Sequence, residues 1–291
     1  MVVGAVTKVA IIGANGQLGT ELVKVFGELA IPLTHSEVDI TKPEAFKILK
    51  EKKPAFVINA AAYVNVDKAE EEAGETFNVN AIGAYNVAKI CNEIGACCIY
   101  ISTDYVFDGK KGKPYSEGDC PNPLNIYGAS KYLGEVLTKD YSSKYYIIRM
   151  SGLFGKAGAR GKGGNFIESI IEKARNNEEI KVVDDIFTSF TYAKDAAASI
   201  KKIIELKPEY GVYNIVNSGY NNWYSFAKKI FEYLKISIDV KNIKAVESGR
   251  PAKRPVISAL TNSKINKLGI KMPKWENALK RYLIEKEHIK R

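Results

Sequence analysis

At 291 residues, 46% hydrophobic and 26% charged, the chain can bury a sizeable core, and we read it as two lobes. It has no apolar run near the roughly 20 residues of a membrane span, residues 1–7 do not make a signal peptide, and His35 and His288 alone leave little scope for a histidine metal cluster, so no metal is expected. The net charge of +10 is uneven, with 16 basic and 18 acidic residues in positions 1–150 against 27 and 15 in positions 151–291; without aromatics between basic runs, this favours an anionic small substrate over nucleic acid.

Cys91, Cys97, Cys98 and Cys120 have no metal-type pairing and read as free thiols of a cytoplasmic protein. Richness in Lys, Glu and Ile with few Met points to heat adaptation.

Residues 8–12 predict a short strand, and Gly13, Ala14, Asn15, Gly16, Gln17, Leu18 and Gly19 a turn into a helix expected over 21–29. Gly13 allows a tight turn, Gly16 lets a pyrophosphate approach the backbone, and Gly19 lets the helix pack closely, which is dinucleotide chemistry. A second strand, 31–34, is followed by His35, Ser36 and Glu37, with no acid at its tip to repel a 2′-phosphate, so NADPH is favoured over NADH. Asp39 and Ile40 stand where an adenine could be contacted; Asp39 reads equally as a turn residue.

A helix over 43–51 and a third strand over 55–59 lead to the small residues Ala60, Ala61 and Ala62 before Tyr63 and Val64, which permit a flat cofactor to approach. Residues 75–94 predict a long helix burying Phe77, Val79, Ile82, Tyr85, Val87 and Ile90, with nothing that demands chemistry. The fourth strand, 96–101, ends in Ser102, Thr103 and Asp104, hydroxyls and an acid where open α/β sheets place their sites.

Tyr127 and Lys131 lie four apart on one face of a helix that Asn125 can cap and that Ile126, Leu133, Val136 and Leu137 can bury. An ammonium one turn away favours phenolate and pulls the phenol down from about 10, so the pair reads as a tuned acid or base. Residues 109–124 form a loop able to bring the Thr103 and Tyr127 hydroxyls onto one substrate oxygen, and 145–149 a fifth strand.

After Ser151, residues 152–164 hold six glycines and three basic residues and read as a loop over the site. Helices are expected over 165–175, 192–206 and 223–234, strands over 180–183 and 211–216. Asn165, at the head of its helix, is counted with the substrate contacts. Arg250, Lys253 and Arg254, pinned by Pro251 and Pro255, suit a diphosphate. The expected architecture is α/β: a Rossmann-type doubly wound parallel sheet over 1–150, to which later segments can return, and a smaller C-terminal α/β substrate lobe over 151–291.

Gly13-x-x-Gly16-Gln17-Leu18-Gly19, Asn59-Ala60-Ala61-Ala62, Ser102 to Gly109, Asn122-Pro123-Leu124-Asn125-x-Tyr127-Gly128 and Arg250-Pro251, in this order over nearly the whole chain, resemble the dTDP-4-dehydrorhamnose reductases, extended short-chain dehydrogenases. The resemblance implies NADPH or NADH in the first lobe, a dTDP-sugar in the second and reduction of the C4 ketone of dTDP-4-dehydro-L-rhamnose. It implies catalysis by Thr103, Tyr127 and Lys131, a substrate contact at Asp104, and cofactor contacts at Gly16, Gln17, Leu18, Asp39, Ile40 and residues 61–64. Family members often carry tryptophan where Gly152 stands, and proline where Phe190 stands. Nucleotide-sugar 4,6-dehydratases have a second acid where Tyr105 stands. The regulatory subunit of methionine adenosyltransferase, a non-catalytic binding partner, is also similar, and a reductase or epimerase of another nucleotide sugar is a further alternative. A homodimer is compatible with all of these.

Overall fold

Val9–Ile12 (β1) is a run of four buried apolar residues, the pattern of a strand covered on both faces. In the computed structural model, which describes residues 7–158 and 164–290, β1 lies inside a six-stranded sheet. With Ala30–Leu33 (β2), Phe56–Asn59 (β3), Cys97–Thr103 (β4) and Tyr145–Met150 (β5), the order is Gly211–Asn214, β5, β4, β3, β1, β2, and every pairing is parallel. The strand Gly211–Asn214 comes from the second half of the chain, as does the helix Ala193–Leu206, whose Ala196, Ile200 and Ile203 share a core with Leu18 and Leu22. No described helix is long and apolar enough to cross a membrane.

The chain leaves β1 for β2 on one side and returns to β3 on the other, so a crevice opens beyond the carboxyl ends of β1 and β3. Helix Gln17–Phe26 starts four residues earlier than expected and places Gly19 in its first turn. A Cβ on Gly19 would stand 2.1 Å from the Gly13 carbonyl oxygen, and one on Gly13, at φ +77°, would stand 2.9 Å from Ala61 N.

Two corrections concern the helices beneath the site. Residues 73–94 are helical throughout but include a π segment, Asn78–Ile82. Its extra residue per turn rotates the face that follows, so Ile82 is 46% exposed while Asn80, Ala81, Ala84 and Val87 are buried. On Ile126–Tyr141 the buried residues are Gly128, Ser130, Lys131, Gly134, Glu135 and Thr138, and Leu133 is 40% exposed. The buried face is polar, and hydrophobic periodicity pointed to the wrong side.

The second lobe has its own aromatic core, in which Phe190 and Phe226 stack with centroids 3.8 Å apart beside Trp223 and Trp275. Phe190 thus serves packing. Gly152 sits at φ +50°, where a Cβ would meet the Ser189 carbonyl oxygen at 2.5 Å. Of the expected glycine-rich loop, residues 159–163 lie outside the described residues.

Gly19→Ala should lower stability by about 1–3 kcal/mol, because helix and turn must separate to admit the methyl group. Urea unfolding checks this, and an unchanged midpoint would show that the turn has slack.

Candidate active site

The crevice lip is built from backbone. Gly13 N and Ala14 N donate to the Leu33 carbonyl at 2.9 and 3.1 Å, and Ala60 N donates to the Ile12 carbonyl at 3.0 Å, which ties the glycine turn to both neighbouring strands. Asn15 and Gly16 stay partly accessible at the head of Gln17–Phe26, whose first N–H groups suit an anion. A Cβ at Gly16 would touch only the Gly13 oxygen, at 3.2 Å. Asn59 Nδ2 and Gln17 Oε1 are buried there without a partner, while Gln17 Nε2 donates to the Leu153 carbonyl at 2.8 Å. Leu18 is buried core. A phosphate-bearing dinucleotide fits this donor set.

Other expected cofactor contacts are already engaged. Asp39 Oδ1 accepts from Thr41 N and Oγ1 at 3.0 and 2.7 Å, a turn role, and Ile40 is buried against Gly83. Ala61, Ala62, Tyr63 and Val64 form a half-exposed segment clamped by Asn80, which accepts from Tyr63 N at 2.9 Å and donates to the Tyr63 carbonyl at 3.1 Å. The expectation of no acid at the tip of β2 fails in space: Glu37 folds back, and its Oε2 accepts from Thr34 N and Oγ1 at 2.7 and 2.8 Å. That removes the charge argument for NADPH over NADH.

Asn125 caps Ile126–Tyr141, accepting from Gly128 N at 2.7 Å, and so fixes the first turn that carries Tyr127. A Cβ on Gly128 would meet the Tyr105 carbonyl at 2.2 Å, so the helix lies directly on the chain leaving β4. The Tyr127 phenol lies beside the Thr103 hydroxyl, with Tyr105 edge-on at 5.9 Å. Burial pushes the Tyr127 phenol up, against the downward pull expected from Lys131. Lys131 is turned inward, its Nζ 4.2 Å from the Tyr100 ring centroid, and burial draws its ammonium down to about 7, with Glu135 opposing. Tyr127 is therefore a protonated phenol, a donor ready for an alkoxide.

Beneath Lys131 lies a network that sequence reading missed. Glu135 takes Arg149 Nε and Nη2 at 2.8 and 2.6 Å and Ser102 Oγ at 2.5 Å, all buried. Asn80, in a helix expected to carry no chemistry, donates to Ser130 at 3.0 Å and accepts through its carbonyl from Tyr100 OH at 2.9 Å. A buried-charge spacing of Lys131 to Glu135 was the available signal.

Thr103 Oγ1 bonds Asp104 Oδ1 at 3.1 Å, and Thr188 Oγ1 bonds Asp104 Oδ2 at 3.3 Å. Asp104, expected at the substrate, is 3% exposed with both oxygens occupied. Asn165 is a helix cap: Oδ1 accepts from Glu168 N at 3.1 Å and Nδ2 donates to Tyr282 OH at 2.9 Å. Arg254 is held by Asp67, two contacts of 2.6 Å, so it is not a free phosphate ligand. Arg250 is exposed and, among the described residues, forms no ion pair. Among those residues no group of three or more His, Cys, Asp or Glu could hold a metal ion.

The Lys131 ammonium carries a sign that can be measured. Its folded value of about 7 lies below the unfolded one, so the unfolded chain binds the extra proton between there and about pH 10. The lysine costs stability at neutral and lower pH, and the cost fades as pH rises toward about 10. Lys131→Met should therefore melt above the wild type near pH 7, with the gap closing in alkali. A gap independent of pH contradicts this.

The family model described as RmlD substrate binding domain matches residues 7–288. The dTDP-4-dehydrorhamnose reductase of Escherichia coli (strain K12) is 34% identical, over 95% of this chain and 97% of its own length. Spore coat polysaccharide biosynthesis protein SpsK of Bacillus subtilis is 37% identical, over 96% and 98%. The crystal structure of dTDP-4-dehydrorhamnose reductase from Bacillus anthracis in complex with NADP superposes with a TM-score of 0.91 at 40% identity, over 96% of this chain and 99% of that one. Matches of this extent reach the crevice, the Tyr127 helix and the second lobe together, and the chain belongs to the dTDP-4-dehydrorhamnose reductase family.

Proposed function

We propose that the protein reduces the C4 ketone of dTDP-4-dehydro-L-rhamnose to dTDP-L-rhamnose with NADPH or NADH. The carrying observation is the juxtaposition, at the carboxyl end of β4, of the hydroxyls of Thr103 and Tyr127 with Lys131 one helical turn on. The NADP complex of the Bacillus anthracis relative supports the cofactor class. When bound, the nicotinamide supplies the hydride. Tyr127 gives its proton to the oxygen that gains charge, Thr103 steadies that oxygen, and Lys131 holds the ribose side of the crevice. Gly13, Gly16 and the first N–H groups of Gln17–Phe26 take the pyrophosphate. Arg250 is an exposed cation suited to the substrate diphosphate, and Tyr105, in place of an acid, speaks against a dehydratase.

We read the enzyme as cytoplasmic and homodimeric; Ile82, Leu133 and Tyr141, all at least 40% exposed on helices packed side by side, support self-association. Ion-pair clusters such as Lys181–Glu179–Lys241, at 2.7 and 2.8 Å, support heat adaptation.

NADPH oxidation on adding dTDP-4-dehydro-L-rhamnose tests the reading; no oxidation, together with tight binding to a methionine adenosyltransferase catalytic subunit, would establish the regulatory alternative. Tyr127→Phe should lower kcat by about 10²–10⁴ while NADPH still binds. A variant keeping more than about a tenth of wild-type kcat removes Tyr127 from proton transfer. Arg250→Ala should raise KM for the nucleotide sugar by about tenfold, the worth of one charge-assisted bond, with NADPH affinity unmoved. The reverse pattern would place the diphosphate elsewhere.

A further inference from the structure

Lys131 and Tyr100 are 2% and 1% exposed, and Lys131 Nζ stands over the Tyr100 ring, 4.2 Å from its centroid. Among the described residues the ammonium forms no ion pair. Glu135, one helical turn along, is taken up by Arg149 Nε and Nη2 at 2.8 and 2.6 Å and by Ser102 Oγ. Burial draws the Lys131 ammonium down to about 7, against the pull of Glu135. The face of an aromatic ring carries negative charge density, and a cation stripped of water is held over it more strongly than an exposed one.

The ring is itself fixed. Tyr100 OH donates to the Asn80 carbonyl at 2.9 Å, Ala84 and Ile147 pack with the ring, and Gly134 leaves room for its hydroxyl. Asn80 also clamps Tyr63 and donates to Ser130 at 3.0 Å. One residue of the π segment therefore anchors the crevice segment 61–64, the turn between Tyr127 and Lys131, and the ring under Lys131. A lysine ammonium rides on a flexible stem, so something must hold it in place. A carboxylate in the position of the ring would hold it by taking up its N–H groups, whereas a ring face leaves them for a ligand.

We propose that Tyr100 is a positioning residue for the reaction: its ring face seats the Lys131 ammonium, keeping it charged and in place with its N–H groups left for the nicotinamide ribose. The catalytic part rests on the reductase reading; the seat is a property of the free protein. The titratable and charged groups around the pair are Tyr127, Glu135 and, through Glu135, Arg149, with Cys98 on the strand of Tyr100.

Fluorine withdraws electron density from a ring with little change in its size. Tyr100→Phe, followed by difluoro- and trifluorophenylalanine placed at the same position, weakens the seat in steps. Lysine side-chain NMR of the free protein, with the Lys131 signal identified by its loss in Lys131→Met, reads the pH at which Lys131 titrates. Weakening a contact made by the charged form lowers that pH, so it should fall in the order of fluorine content, by about one pH unit from the phenylalanine to the trifluoro ring. The alkaline limb of kcat/KM for NADPH, with dTDP-4-dehydro-L-rhamnose as the second substrate, should move down with it. Tyr100→Phe should keep more than about a tenth of the wild-type kcat/KM, because it loses one neutral hydrogen bond and no ring. Tyr100→Leu, without any aromatic face, should titrate Lys131 lowest, and it carries the test if the fluorinated proteins do not fold. A titration that ignores fluorine content, or one unchanged in Tyr100→Leu, overturns the proposal. Activity that falls equally across the series marks a packing role and overturns it as well. A titration that follows the fluorine content in a protein that never oxidises NADPH with this sugar leaves the seat standing and overturns the reductase reading.

Discussion

The Glu135–Arg149 pair, with contacts of 2.6 and 2.8 Å and side chains 3–4% exposed, is the interaction on which the site depends. Taking two charges out of water is expensive, and breaking such a pair by removing one partner costs about 3–5 kcal/mol. Here it lets the helix Ile126–Tyr141 turn a polar face onto β4 and β5, with Ser102 bonded to the same carboxylate. Gly128 and Gly134 allow the approach; a Cβ on Gly134 would meet Tyr100 OH at 2.3 Å. Helix and sheet thus share one geometry, and Tyr127 is delivered to Thr103.

The same register governs the contacts between lobes. Asn125, which caps the helix, also donates to the Lys253 carbonyl at 2.7 Å; Asp67 holds Arg254; Asp104 meets Thr188; and Gln17 reaches Leu153. All four join the first lobe to residues after 150, and three start at the crevice or the Tyr127 site. Charge in the second lobe is therefore partly used for docking the lobes. Of the three cations expected at a diphosphate, Arg254 does this work, while Arg250 and Lys253 are exposed.

Local chemistry made much of this legible in sequence. The glycine turn, the strand before it, the Asn125 cap and the run Trp223–Leu234 each follow from rules that operate over a few residues. What was not legible depends on neighbours distant in the chain. Hydrophobic periodicity cannot find a helix whose buried side is Lys131, Glu135 and Thr138, because the partners are on other strands. Nor can it locate a π segment that shifts Ile82 outward and Asn80 inward. Glu37 stands three residues beyond Thr34 in the chain, yet its carboxylate folds back onto the Thr34 backbone N–H. The charge of Lys131 depends on its burial, which neighbours along the chain do not reveal.

Transfer of a labelled hydride is the most direct test of the account. With NADPH deuterated at nicotinamide C4 and dTDP-4-dehydro-L-rhamnose as substrate, NMR of the product should place deuterium at C4 of dTDP-L-rhamnose. A product without deuterium at that carbon, or recovery of both compounds unchanged, would contradict it.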